Sequence, residues 1–121
     1  MENNNIFTSY YAKAARLSSK EYTFCSISRG IPVWFPYDLV HLKHLAPSSQ
    51  LLARYKEGEI TWEQYESIYI KEMDLPHQVP FILERLNLII KQYNKPIVLL
   101  CYEKDTCHRF ILGRFIGAKE L

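Results

Sequence analysis

The sequence predicts a small α/β domain with a mostly parallel sheet covered by helices, and three observations carry that reading. Ile97-Val98-Leu99-Leu100-Cys101 is apolar without alternation, the pattern of a strand covered on both faces by helices. Helical periodicities flank it on both sides. An earlier β-branched and aromatic run, Tyr22 to Ile27, supplies a second strand. Strands separated by helices within one sheet run parallel through right-handed crossovers.

The elements follow in order. Ile6-Phe7-Thr8 is a short β-prone segment, and Tyr22 to Ile27 is closed by Arg29-Gly30. From Gly30 to Tyr37 two prolines forbid a regular helix, which leaves a loop carrying aromatics. Leu39, Leu42 and Leu45 recur at helical spacing and predict a short helix ended by Pro47. Ser48 or Ser49 can cap a helix that stops at Gly58. Thr61-Trp62-Glu63-Gln64 fits a capping box, with Tyr65, Ile68 and Tyr69 as the apolar stripe behind it. Pro80 is expected in the first turn of a third helix whose face is Ile82, Leu83, Leu86, Ile89 and Ile90, stopping near Asn94. After the apolar strand come a polar turn, Glu103 to Thr106, and a last helix with Phe110, Ile111, Phe115 and Ile116 facing inward.

Size and composition set bounds on function. A chain of 121 residues fits one core and not two, so residues 1–121 are expected to form a single domain. The net charge is +2, with 15 Lys and Arg interspersed among 13 Asp and Glu. A nonspecific nucleic-acid binder would show a stronger basic excess or a clustered stripe, so any anion site should be local. Three cysteines, an odd number, argue against a disulfide framework and for a reducing compartment. The N-terminal Met-Glu-Asn-Asn-Asn has neither the basic nor the apolar region of a signal peptide. The longest apolar run is far short of the ~20 residues that span a bilayer. A soluble, cytoplasmic protein without a membrane partner is expected.

Chemistry concentrates at two strand ends, Ser28-Arg29-Gly30 and Cys101-Tyr102-Glu103. Ligands of open parallel sheets bind beyond such ends. If the strands are neighbours, Arg29 and Glu103 face one crevice. Thr106 as N-cap would place Cys107, His108 and Arg109 in a first helical turn, where unpaired N–H groups attract anions and lower a thiol's pKa. Arg109 there opposes the helix dipole and needs a carboxylate, Glu103 or Glu120, or an anionic ligand.

Blander roles compete with these. Cys101 at a strand end and Cys25 within a strand are commonly core residues, and Arg109 can be a structural clamp. The cluster Trp34, Phe35 and Tyr37 either covers the crevice or packs on the sheet, with packing expected for two of the three. His41 and His44, with Cys107 or His108, could hold zinc, yet Cys-x5-Cys-His is not a familiar zinc spacing. No metal and no cofactor are therefore expected. A phosphatase loop needs five residues between Cys and Arg, whereas Cys101 and Arg109 have seven between them and Cys107 and Arg114 have six. No Cys-x-x-Cys and no glycine-rich phosphate loop occurs among the four glycines.

Pro96 to Lys104, followed by Cys107-His108-Arg109, resembles the signature of the family catalogued as domain of unknown function 488. So does Ala46-Pro47-Ser48 with the stretch Leu51 to Tyr65, while Ser28 to Pro32 resembles its shorter members. The likeness covers nearly the whole chain. It implies a compact Rossmann-like α/β fold and no established reaction. In longer members the second strand ends in Asp-x-Arg. Arg29 matches the Arg, but Ile27 stands at the Asp position, which leaves Glu103 as the leading acid. Some members carry a porphyrin methyltransferase label, for which this chain lacks the glycine-rich methyl-donor loop.

The leading expectation is a small enzyme or binding domain acting on a phosphate-bearing ligand, a nucleotide or nucleic-acid component. Cys107, Glu103, Cys101 and His108 are its candidate catalytic residues. Arg29, Arg109, Ser28 and Trp34 are its candidate ligand-binding residues, with Arg29 and Arg109 converging on one anion. The alternatives are a non-catalytic interaction protein with a structural Cys/Glu/Arg lock, and a zinc or redox site.

Overall fold

The computed structural model describes residues 4–121. Met1 to Asn3, part of the segment read above as lacking signal features, lie outside the described residues. The strands are β1 (Ile6–Tyr10), β2 (Thr23–Ser26), β3 (Val40–His41), β4 (Ile97–Cys101) and β5 (Lys119–Glu120). They form one sheet in the order β3-β2-β4-β1-β5, parallel at every pairing. The helices are α1 (Tyr11–Ala14), α2 (Ser49–Lys56), α3 (Trp62–Met73), α4 (Leu75–Tyr93) and α5 (His108–Ile116). The α/β, Rossmann-like class read from the sequence is the observed one.

Strand β4 lies at the centre of the sheet, and all five of its residues are buried. Alternate side chains feed two separate cores. Ile97, Leu99 and Cys101 join Cys25, Ile27 and residues of α2 to α5 on one face. Val98 and Leu100 meet Phe24, Phe35, Tyr11 and Ala14 on the other. The second face is covered by α1 and the aromatic loop, whose Tyr37 ring stacks on Phe24 at 5.3 Å and donates its hydroxyl to the Leu17 carbonyl. Packing was expected for two of the three loop aromatics. Phe35 and Tyr37 pack, and Trp34 is exposed.

The helix signals resolve locally. Ser48 caps α2 by accepting from Leu51 N, and Gly58 takes the left-handed φ of 76° that follows the helix end. Thr61 and Gln64 form the expected capping box of α3. Three expectations are corrected. Helix α4 begins at Leu75, with Pro76 in its first turn, and Pro80 lies inside the helix. Position 80 is exposed, so the carbonyl left without a partner by the missing N–H is on the solvent side. The leucines Leu39, Leu42 and Leu45 do not form an α-helix. Val40–His41 pairs as an edge strand with Cys25–Ser26, and Leu42 N donates to Ser26 O at 2.8 Å before a single 3₁₀ turn, Lys43–Leu45. Helix α5 starts one residue late: its N-cap is Cys107, in extended backbone, and Thr106 lies outside.

Candidate functional site

Strands β2 and β4 are neighbours, so the segments leaving their C-terminal ends meet. A cavity of about 320 Å³ opens there, lined on one side by Ser28, Arg29 and Gly30 and on the other by Cys101 to Glu103, Thr106, Cys107 and His108. Arg29 and Glu103 do face one crevice. Its third wall comes from α2 and α3: Tyr55, Lys56, Trp62 and Tyr65. The Trp62 and Tyr65 rings stack at 5.0 Å, and Tyr55 lies 5.1 Å from Tyr65. Helix α2 is tied to the loop before α5 by the Tyr55 hydroxyl, 3.4 Å from Thr106 Oγ1. Burial, together with the nearby charge of Glu103, pushes the Tyr65 hydroxyl pKa up.

The reactive groups sit at the floor. The sulfurs of Cys101 and Cys107 are joined as a disulfide, and Cys25 is free and buried. The odd cysteine count argued against a disulfide framework. What the fold does instead is bring the N-cap of α5 back over the end of β4, across a turn of only six positions. Burial pushes the Cys25 thiol up to about 12, as a core role requires. His108 is buried too, and burial holds its pKa down at about 4, against the opposing effect of its hydrogen bond to Ile27. The ring is therefore neutral near pH 7. Its Nε2 lies 2.6 Å from the Ile27 carbonyl oxygen, which can only accept, so Nε2 carries the proton. The Nδ1 lone pair then faces Cys107 Sγ at 3.4 Å. The two sulfurs and a His108 ring nitrogen all lie within 4.8 Å of one another.

Arg109 is not where the sequence reading put it. Its side chain is fully buried and does not line the cavity. The guanidinium pairs with Glu120 at 3.0 Å, donates to the carbonyls of Glu103 and Lys104, and reaches Cys101 Sγ at 3.1 Å. Every nitrogen of the fork is engaged inside the protein. Convergence of Arg29 and Arg109 on one anion is thus corrected: Arg109 ties β5 and the β4–α5 loop to α5. The first turn needed a carboxylate, and Glu120 provides it; Glu103 contributes only its backbone oxygen. The contact that favours a thiolate falls on Cys101, not on Cys107.

The other candidates divide. Ser28 lines the cavity, but its hydroxyl lies 2.6 Å from the Tyr11 hydroxyl and donates to the Gly30 carbonyl. Trp34 is 57% exposed and packs edge-on against Phe35, away from the cavity wall. His41 bonds the Ser28 carbonyl through Nε2 at 3.0 Å. Sequence reasoning missed Tyr55, Lys56, Trp62 and Tyr65 as lining residues. Their local pattern is only that of amphipathic helices, and the side that meets a distant strand end is set by tertiary docking.

Comparison with protein families gives a match over residues 9–120 to DUF488-N3a, described as the active DUF488-N3 subclade. No curated protein and no solved structure matches the chain. The chain belongs to the domain of unknown function 488 family, within the branch called DUF488-N3a.

Proposed function

We propose that the crevice binds a phosphate-bearing ligand with a planar base, a nucleotide or a nucleic-acid component, and that the chain is a small enzyme acting on it. The observation that carries this reading is the composition of one cavity: an aromatic wall of Tyr55, Trp62 and Tyr65 beside two cations, Arg29 and Lys56. A base stacks on such a wall, with about 1–3 kcal/mol per base for aromatic contacts of this kind. A guanidinium grips phosphate through two parallel N–H bonds. Arg29 is exposed, and its described hydrogen bond, to the Pro47 carbonyl at 3.4 Å, is long enough to give up.

In this reading Glu103, at the mouth, is the acid or base, and Cys107, once reduced, is the nucleophile or polarisable wall. His108 Nδ1 faces that sulfur and can accept its hydrogen bond. Cys101 lies beneath, held by Arg109. The family description as an active subclade favours catalysis over a purely structural role. No helix among the described residues is long and apolar enough to cross a membrane. The Cys101–Cys107 disulfide fits a cytoplasmic location only as a transient, reversibly reduced bond.

The second reading, a non-catalytic interaction protein, draws support from Ile31, Val33 and Trp34, which expose apolar surface together on one loop. Titration of nucleoside mono- and diphosphates, followed by calorimetry, separates the two. Saturable binding, weakened roughly tenfold or more by Arg29→Ala as expected for a charged hydrogen bond, supports the crevice reading. No heat and no shift in melting temperature with any nucleotide would leave the interaction reading standing.

A further inference from the structure

We infer that Cys101, Cys107 and His108, with the two sulfurs reduced, form a three-ligand site for a soft divalent cation such as zinc, with the fourth position open to the crevice. Thiolates and imidazole suit zinc and its analogues, whereas hard cations prefer oxygen. All three residues are buried, and their donor atoms lie within 4.8 Å of one another.

The orientation of the imidazole is the stronger argument. Its Nε2–H is spent on the Ile27 carbonyl at 2.6 Å, which leaves the lone pair of Nδ1 free on the side of Cys107 Sγ, 3.4 Å away. In a tetrahedral zinc site, bond lengths of about 2.3 Å to sulfur and 2.0 Å to nitrogen set those two donors roughly 3.5 Å apart. Metal-bound histidines characteristically donate their second ring N–H to a carbonyl or carboxylate, which fixes the tautomer. Cys101 has an outer partner as well, since Arg109 donates to its sulfur at 3.1 Å. That contact stabilises a thiolate. Two thiolates balance a divalent charge, so the cation adds no net charge beside the Arg109–Glu120 pair.

All three residues also line the cavity. A site with three protein ligands and one open position is the catalytic rather than the structural form. With a cation bound, Cys107 and His108 are ligands and not nucleophile and acceptor, and the cation would instead act on a phosphoryl or carbonyl oxygen of the bound ligand, or on a water. The reading of the sequence set metal aside on ligand spacing. The spacing is unusual because one ligand closes a strand and the other two open the next helix, and only the β4–α5 turn brings them together. Only a thiolate is a strong ligand here, and a disulfide sulfur has given the electron pair behind its charge to the S–S bond, so disulfide and metal site exclude each other and oxidation empties the site.

The inference rests on the same crevice as the proposed ligand but on none of that ligand's properties, so cobalt(II) alone can test it. A water-soluble phosphine reduces the disulfide: the sulfurs take up two electrons and two protons, and the phosphine takes oxygen from water. Cobalt(II) then displaces the two thiol protons. The expected result is one cobalt per chain with thiolate-to-cobalt absorption in the near ultraviolet, abolished by prior oxidation and displaced by zinc. Cys25→Ser should keep the absorption; Cys107→Ser should lose it, with circular dichroism checking that the variant is folded. If Cys107→Ser fails to fold, the reduced and oxidised wild-type protein still decide the matter. Reduced protein that gives no thiolate-to-cobalt absorption, or absorption that depends on Cys25, overturns the inference. Nucleotide titration is a separate readout, so either idea can fail alone.

Discussion

Arg109 shows what one residue's position in a helix demands. A guanidinium in a first turn faces the positive end of the helix dipole, and here it is also removed from water entirely. Such a charge persists only if paired and fully hydrogen-bonded. The sequence made that requirement legible and offered two carboxylates. It could not choose between them, because Glu120 reaches Arg109 only when β5 is paired beside β1. Glu120→Gln would leave the buried guanidinium without its counter-charge. Breaking a buried pair from one side costs about 3–5 kcal/mol, and the lower end applies because Glu120 is 36% exposed. Chemical denaturation should show this loss while nucleotide affinity stays unchanged. A matching loss of affinity would return Arg109 to the binding site.

The thiols can be ranked at the same scale. Cys25 is buried with its pKa pushed up to about 12, so it is protonated at any ordinary pH and out of reach of reagent. Cys101 and Cys107 line the cavity, Cys107 at the N-cap of α5 and Cys101 beside Arg109. With metal chelated and the disulfide reduced, iodoacetamide at neutral pH should label Cys101 or Cys107 well before Cys25. Peptide mapping checks the order. First labelling at Cys25 would mean that the two cavity thiols are not activated.

At the scale of elements, signals confined to a few residues resolved well and those set by pairing did not. The capping box of α3 lies within four residues, and the apolar run of β4 needed no partner to be recognised. By contrast, Val40–His41 and Lys119–Glu120 are two-residue strands whose backbone groups are claimed by a neighbour. Nothing in their side chains announces that. Strand β4 makes the element-scale prediction. Leu100 is fully buried at the centre of the sheet, so Leu100→Ala should cost about 2–5 kcal/mol, as for other large-to-small changes in a core. Urea unfolding measures it. A loss under roughly 1 kcal/mol would be incompatible with a central strand.

For the whole molecule, the question is whether two cores on opposite faces of one sheet behave as one unit. The half of the crevice formed by the strand ends could be read from the chain because both contributing segments leave strand ends. Its aromatic wall could not, since it depends on how α2 and α3 dock against the same sheet. That docking is shared: β4 gives Leu99 and Cys101 to the core under the helices, and Val98 and Leu100 to the core under the aromatic loop. Neither core can lose β4 without disrupting the other, so residues 4–121 should unfold as a single cooperative domain. The two tryptophans report on opposite faces. Trp62 stacks on Tyr65 in α3, on the helical face, and Trp34 packs on Phe35 in the aromatic loop. Trp34→Phe leaves Trp62 as the probe, and Trp62→Phe leaves Trp34. In each variant the fluorescence transition in denaturant should coincide with that variant's own far-ultraviolet circular dichroism, which is the test of two-state behaviour. A Trp34 signal that melts before the circular dichroism would show that the aromatic loop and its core open independently. The exposed loop would then be a separately mobile surface, as the interaction reading needs.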